Sequence, residues 1–175
     1  MKRYIILTLF TVMLSATAFA QSLVYVDSEY ILKHIPEYSS AQKQLDALAL
    51  QWQKEIDDKF KEVEKMQKDY QADEVLLTDD MRKKRQEDIN QKDREVKEFQ
   101  QQKFGFEGDL YRQKIRLIKP IQERVAKAIE EYAGRENIDI VIDKSTVTLL
   151  FARANFDGTN AVITKMGYKP GSFAK

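Results

Sequence analysis

The chain has 175 residues, a single histidine and no cysteine, and its 29 basic and 28 acidic side chains leave a formal charge of +1. Disulfides, thiolate metal ligands and a lipid-modified N-terminal cysteine are therefore excluded, and the near-balance of charge excludes the strongly basic face that nucleic-acid phosphates require. A charged fraction of 33% with both signs interleaved is the composition of long solvated helical surfaces.

Lys2 and Arg3 precede an almost unbroken apolar run from Tyr4 to Leu14, followed by the small-x-small triplet Ala18-Phe19-Ala20. That is the pattern of a cleaved secretory signal peptide covering residues 1–20, and it implies a periplasmic location. The run is shorter than the ~20 apolar residues that span a bilayer, and no later segment approaches that length. The mature chain would start at Gln21, a one-domain length, and loss of Lys2 and Arg3 would take its charge from +1 to −1.

Leu23, Val24, Tyr25 and Val26 form a β-branched and aromatic run that predicts a strand. Asp27 or Ser28 then caps a single helical turn carrying Ile31 and Leu32. Pro36 is placed as the first residue of a long helix, where its missing N–H costs nothing. Leu45, Leu48, Trp52, Ile56, Phe60, Val63, Met66 and Tyr70 follow at steps of three and four, so they line one helical face. Opposite charges at four-residue spacing, Glu55 with Lys59, Asp57 with Lys61 and Glu64 with Lys68, support the exposed side. One narrow apolar stripe on a charged rod calls for a partner helix.

In "QADEVLLTDDMRKKRQ" (71–86) the apolar triplet Val75, Leu76 and Leu77 is followed by Thr78, a good N-cap residue. Asp79 and Asp80 then sit where the positive end of a helix dipole favours anions. The expectation is a turn near 72–78 joining two antiparallel helices; the alternative is one uninterrupted helix whose stripe slips. The basic run Arg82, Lys83, Lys84 and Arg85 lies at this tip, where it either forms a solvated face or makes weak contact with anionic lipid.

The returning helix carries Ile89, Val96, Phe99, Phe106, Leu110, Leu117, Ile121, Val125, Ile129 and Tyr132. Its first third is poor in apolar side chains, which predicts a hairpin loosely held at the tip and better packed at the base. Gly105, Gly108 and Pro120 interrupt it, because glycine costs roughly 1 kcal/mol in a helix interior and proline removes a hydrogen bond. They are read either as packing features or as hinges between the outer hairpin and its base.

After Gly134 or Asn137 the period changes from helical to β. "IDIVID" (138–143), with Ile140, Val141 and Ile142, and "TVTLLFA" (146–152), with Leu149, Leu150 and Phe151, predict a hairpin of strands. Thr159 is expected to cap a last short helix, and residues 169–175 are expected to be a flexible tail.

The fold expected is thus α+β and mostly α: a helical hairpin over 37–116 projecting from a small β-rich body made of 21–36 and 117–168. Without the long helices about 45 residues remain, too few to bury a stable core alone without disulfides or metals. The strand residues Leu23, Val24, Val26, Ile140, Val141, Ile142, Leu149, Leu150 and Phe151 are therefore expected to complete a shared sheet or barrel with other copies of the chain.

No catalytic constellation emerges. His34 is the only base available to a Ser/His/Asp triad and reads as structural, and no Gly-rich phosphate loop, HExxH or Ca²⁺-loop pattern occurs. The chain is expected to be no enzyme and to need no cofactor or metal.

"LVYVDSEYIL" with "IPEY" at the start, and "AIEEYAGRENIDIVIDKS" with "NFDGTNAVITKMG" at the end, resemble the Skp/OmpH family of periplasmic chaperones, and the likeness spans the mature chain. The resemblance implies a homotrimer whose strands build a small barrel. Three hairpins would surround a cavity that holds unfolded outer-membrane β-barrel proteins without ATP. The candidate seam or client-facing residues are then Leu45, Leu48, Trp52, Ile56, Phe60, Val63, Tyr70, Val96, Phe99, Phe106 and Leu110. Members of that family are often strongly basic, and this chain is near neutral. A second class, a periplasmic hairpin adaptor or scaffold of an envelope complex, usually carries larger β domains than the short flanks found here.

Overall fold

The computed structural model describes residues 22–174, so the signal-peptide reading of residues 1–20 lies outside the described residues. Strand β1 (Leu23–Val26) leads into the single-turn helix α1 (Ser28–Leu32) through Asp27. Asp27, not Ser28, is the cap: its backbone is extended and its Oδ1 accepts the N–H of Tyr30 at 2.8 Å, one of the four donors that any helix start leaves unpaired.

Helix α2 (Pro36–Asp73) starts on Pro36 and runs without interruption for 38 residues. The chain then reverses. Glu74–Leu76 tighten into one 3-10 turn, Leu77 is extended, and Thr78 caps helix α3 (Asp79–Phe104) by accepting the Met81 N–H on its Oγ1 at 3.4 Å. A tightened last turn followed by one extended residue and a hydroxyl cap makes the hairpin without glycine or proline. The single-rod alternative is thereby excluded.

The arms touch along the seam that the spacing predicts. Val63, Ile89 and Val96 are buried together with Phe60, Met66 and Tyr70 packed around them, and Lys92 reaches across to Glu62 at 3.3 Å. A cluster of three buried side chains holds the outer part, with Ile56 buried separately on α2, whereas the base shares an eleven-residue core with α1 and the C-terminal helix.

The returning arm is two helices rather than one. Helix α3 stops at Phe104, and helix α4 (Asp109–Glu136) starts after a link in which Gly105 and Gly108 are extended and Glu107 is left-handed at φ +53°. Close packing leaves no room for side chains at the glycines, since a Cβ on Gly105 would collide with the Gln101 carbonyl oxygen. Pro120, expected to kink the rod, lies within the span of α4. Its ring points outward while Ile118, Ile121 and Val125 anchor the same stretch in the base core, so the lost hydrogen bond is outweighed by burial.

Asn137, left-handed at φ 52°, ends α4, and the N–H of Ile138 returns to the Ala133 carbonyl at 2.9 Å. Strand β2 (Ile140–Asp143) then lies parallel to β1 with Leu23 opposite Ile140 and Val26 opposite Asp143. The expected strand hairpin over 138–152 does not form, and residues 146–152 contain no strand. The cause is local. The Asp143 carboxylate accepts the N–H and Oγ–H of Ser145 at 3.0 and 2.8 Å, and this Asx-type turn sends the chain away from β2 instead of back along it.

A 3-10 turn (Ala154–Phe156) and helix α5 (Thr159–Lys165) complete the body. Thr159 does not cap α5 as expected. Its hydroxyl accepts the Asp27 N–H at 3.0 Å, tying α5 to the end of β1, and the Asp157 carboxylate takes the Thr159 N–H at 2.9 Å. Nor are residues 169–174 a loose tail. Gly171 donates to His34 Nε2, Ala174 donates to the Lys33 carbonyl at 3.1 Å, and the Phe173 ring stands edge-on to Tyr30 with centroids 5.5 Å apart.

Candidate functional site

Titratable chemistry is sparse. Among the described residues no group of His, Asp and Glu side chains is arranged to hold a metal ion, and no helix is long and apolar enough to cross a membrane. His34 is buried with both ring nitrogens in hydrogen bonds. The carboxylates that shift are structural. Burial pushes Asp143 up, and hydrogen bonds from Ser28 and Ser145 together outweigh it, leaving the group below the usual carboxylate range. Glu37 is held low by its own backbone N–H and by Arg124 at 3.0 Å, a contact that ties α2 to α4. Lys165 holds Glu131 low and ties α5 to α4 at 2.9 Å. Three exposed surfaces stand out.

The first is the edge of the body. A parallel two-stranded sheet is an incomplete structure, since parallel sheets are normally covered on both faces and two strands alone are marginal in water. Val26 is buried in the core, but Leu23 and Ile140 are exposed, and Val24, Val141 and Ile142 are only half-buried. The Asp157 backbone bridges to β1 at Tyr25; no strand among the described residues flanks β2 on its other side. Beyond the Asx turn Leu149 is exposed, and Leu150 and Phe151 leave 94% and 82% of their surface in solvent. Leu149 and Phe151 line a shallow apolar hollow with Leu23, Tyr25 and Phe156. Sequence periodicity put these side chains in a strand; the single copy leaves them uncovered.

The second surface is the arm. Most of the candidate stripe faces inward: Leu45, Ile56, Val63 and Val96 are buried, and Leu48, Trp52, Phe60, Tyr70, Phe99 and Leu110 are half-buried. Trp52 packs edge-on to Phe104, with centroids 6.3 Å apart. Phe106 is the exception. It is 98% exposed, because the Gly105–Gly108 link breaks the helical register that would have turned it into the seam. Leu50, Tyr111 and Ile115 are also exposed on the arms. Helical spacing missed these three because they fall off the stripe; only Ile115, between Lys114 and Arg116, carries a local signal that could have found it.

The third surface is the tip. Val75 and Leu76 are exposed, at 88% and 81%, and Leu77 is half-buried. Arg82 pairs with Asp79 at 2.7 Å, while Lys83, Lys84 and Arg85 are exposed and take part in no ion pair among the described residues.

Residues 22–166 match the protein family described as outer membrane protein (OmpH-like). Among solved structures, one described as an OmpH-like outer membrane chaperone, from Caulobacter crescentus CB15, superposes with a TM-score of 0.66 at 12% identity. The alignment covers 90% of this chain and 92% of that one. At that identity the likeness is one of fold. No curated protein matches the chain.

Proposed function

The chain belongs to the OmpH-like (Skp/OmpH) family, and from that premise we propose that it is an ATP-independent periplasmic holdase for unfolded outer-membrane β-barrel proteins. The observation that carries the reading is the set of apolar side chains that the arms leave in solvent, Leu50, Phe106, Tyr111 and Ile115. None of them is needed to hold the two-helix seam. An unfolded barrel strand exposes alternating apolar side chains, and a holdase must cover them weakly enough to let go. Many weak contacts on several arms give a large combined affinity that still dissociates stepwise.

Those arms must belong to more than one copy. The exposed Leu23, Ile140, Leu149, Leu150 and Phe151 support assembly through the body, with the homotrimer as the proposed form. Strand β2 would find its missing neighbour there. The exposed basic tip, with Val75 and Leu76 beside it, supports a weak contact with anionic lipid. Release then comes from the client's own folding or transfer, since the proposed mechanism uses no nucleotide.

The test is direct. Purified protein without residues 1–20, added at stoichiometric amounts, should suppress the light scattering of an outer-membrane porin diluted from urea without nucleotide. Sedimentation equilibrium should give three copies per particle. A stable monomer that leaves porin aggregation unchanged would overturn both parts.

A further inference from the structure

We propose that the hairpin bends by letting its two arms slide at the 105–108 link, and that Lys103 is the latch on that slide. Two rods packed side by side can bend only if one lengthens relative to the other. For helix axes 8–10 Å apart, a 20° bend requires a relative slide of about 3 Å. That is roughly two residues of helical rise, more than a continuous hydrogen-bonded helix can absorb. Helix α2 passes the level of the link unbroken, whereas the returning arm is cut there into α3 and α4. The four residues 105–108 between the two helices, with Gly105 capping the end of α3 and Gly108 the start of α4, are where the slack can be taken up.

Lys103 closes the gap. Its Nζ lies 2.6 Å from Oδ2 of Asp109, the first residue of α4, so one ion pair spans the link from α3 to α4. The same ammonium stands 4.9 Å from the Trp52 ring on α2 and 5.3 Å from the Phe99 ring on α3. One charge thus touches all three helices that a slide would move apart. This pair is also the most sheltered on the arms. The Lys103 and Asp109 side chains are 17% and 23% exposed, against 70% and 60% for Lys68 and Glu64. Bulk screening weakens the sheltered pair least, and the α4 N-terminus adds its own attraction for the carboxylate. Arg112 fixes the far side, bonding Asp109 Oδ1 at 2.5 Å and the Glu107 carbonyl at 2.7 Å. Glu107 itself is left-handed at φ +53° without being glycine.

A distance measurement tests this without any client, so its outcome is independent of the holdase reading. The chain contains no cysteine, and cysteines at Glu87 on α3 and Gln122 on α4, both exposed, would give one spin-label pair across the link. Labelled protein is diluted into unlabelled protein so that only distances within one copy are read. The native chain should give a narrow distribution. Lys103→Met keeps the stem against Trp52 and removes the charge, and it should broaden that distribution about two-fold as the latched state loses its advantage. Asp109→Asn should do the same. The native sequence in 1 M salt, where screening reaches about 3 Å, should broaden in the same direction with no substitution at all. Widths that stay at the native value in both variants and in high salt would overturn the proposal.

Discussion

The backbone N–H of Gly171 donates to Nε2 of His34 at 3.0 Å, while Nδ1 of the same ring lies 2.8 Å from the Tyr30 carbonyl. One nitrogen must accept and the other must donate, so the hydrogen bonds assign a neutral ring with its proton on Nδ1. Held between the tilted rings of Tyr30 and Phe173, this imidazole is the post to which the C-terminal segment is tied. His34→Ala should lower stability by about 2–4 kcal/mol through a cavity and two orphaned backbone groups. Urea unfolding at fixed protein concentration measures the loss, and hydrogen exchange should show residues 169–174 released.

The outer hairpin should respond differently. Val96→Ala removes part of a seam that has only Val63 and Ile89 as buried partners, and should cost about 1–2 kcal/mol. Because few buried contacts link this region to the base, the loss should open it locally. Hydrogen exchange is expected to rise over residues 60–99 while the amides of β1 and β2 keep their protection.

The link should be sensitive to acid. The Lys103 hydrogen bond first, and the Arg112 hydrogen bond second, hold the Asp109 carboxyl below the usual carboxylate range. A depressed value means that the unlatched form binds the proton more readily. The latch is therefore fully engaged above the ordinary carboxylate value and is lost as pH falls through the depressed one. The spin-label distribution across the link should stay constant from pH 7 to about 5 and broaden below about pH 4. In Lys103→Met it should already be broad at neutral pH and change less on acidification.

Charges at the body edge should break assembly while sparing the subunit. Leu150 and Phe151 are almost wholly exposed within one copy, so Leu150→Asp with Phe151→Asp should shift the intrinsic stability of the single copy by no more than about 0.5 kcal/mol per site. Between copies the same charges would lie in an apolar contact. Sedimentation should show the mass falling to that of one chain while the far-UV helical signal persists.

Much of this architecture is written in local chemistry. The three-and-four spacing from Leu45 to Tyr70 placed α2 and its buried face, and Thr78 with Asp79 and Asp80 marked the start of α3. Family membership was legible at the two ends of the chain, where "LVYVDSEYIL" and "IDIVIDKS" form the body. What was not legible turned on side-chain bonds and backbone breaks that periodicity does not register. Strand β2 could pair with a neighbour in sequence or with β1, and periodicity cannot distinguish them; the Asx turn at Asp143 decided it. The same limit applies to the tail, whose order rests on His34, and to Phe106, which leaves the seam because two glycines break the register. At Pro120 a local rule meets an opposing tertiary one: the helix continues because Ile118 and Ile121 on either side are buried.

The pairing of β1 with β2 also sets when the fold can close. Ser22 and Asp139, which bond at the head of the sheet, are 117 positions apart. A chain that lengthens from its N-terminus can zip its long helices together as they appear, because those contacts grow outward from a local turn. Its opening strand, however, must wait for almost the entire polypeptide before it meets its mate. Closing so large a loop is slow compared with helix formation. The slow step should therefore be docking of the two ends, and until then the chain is itself an unfinished protein with bare strands.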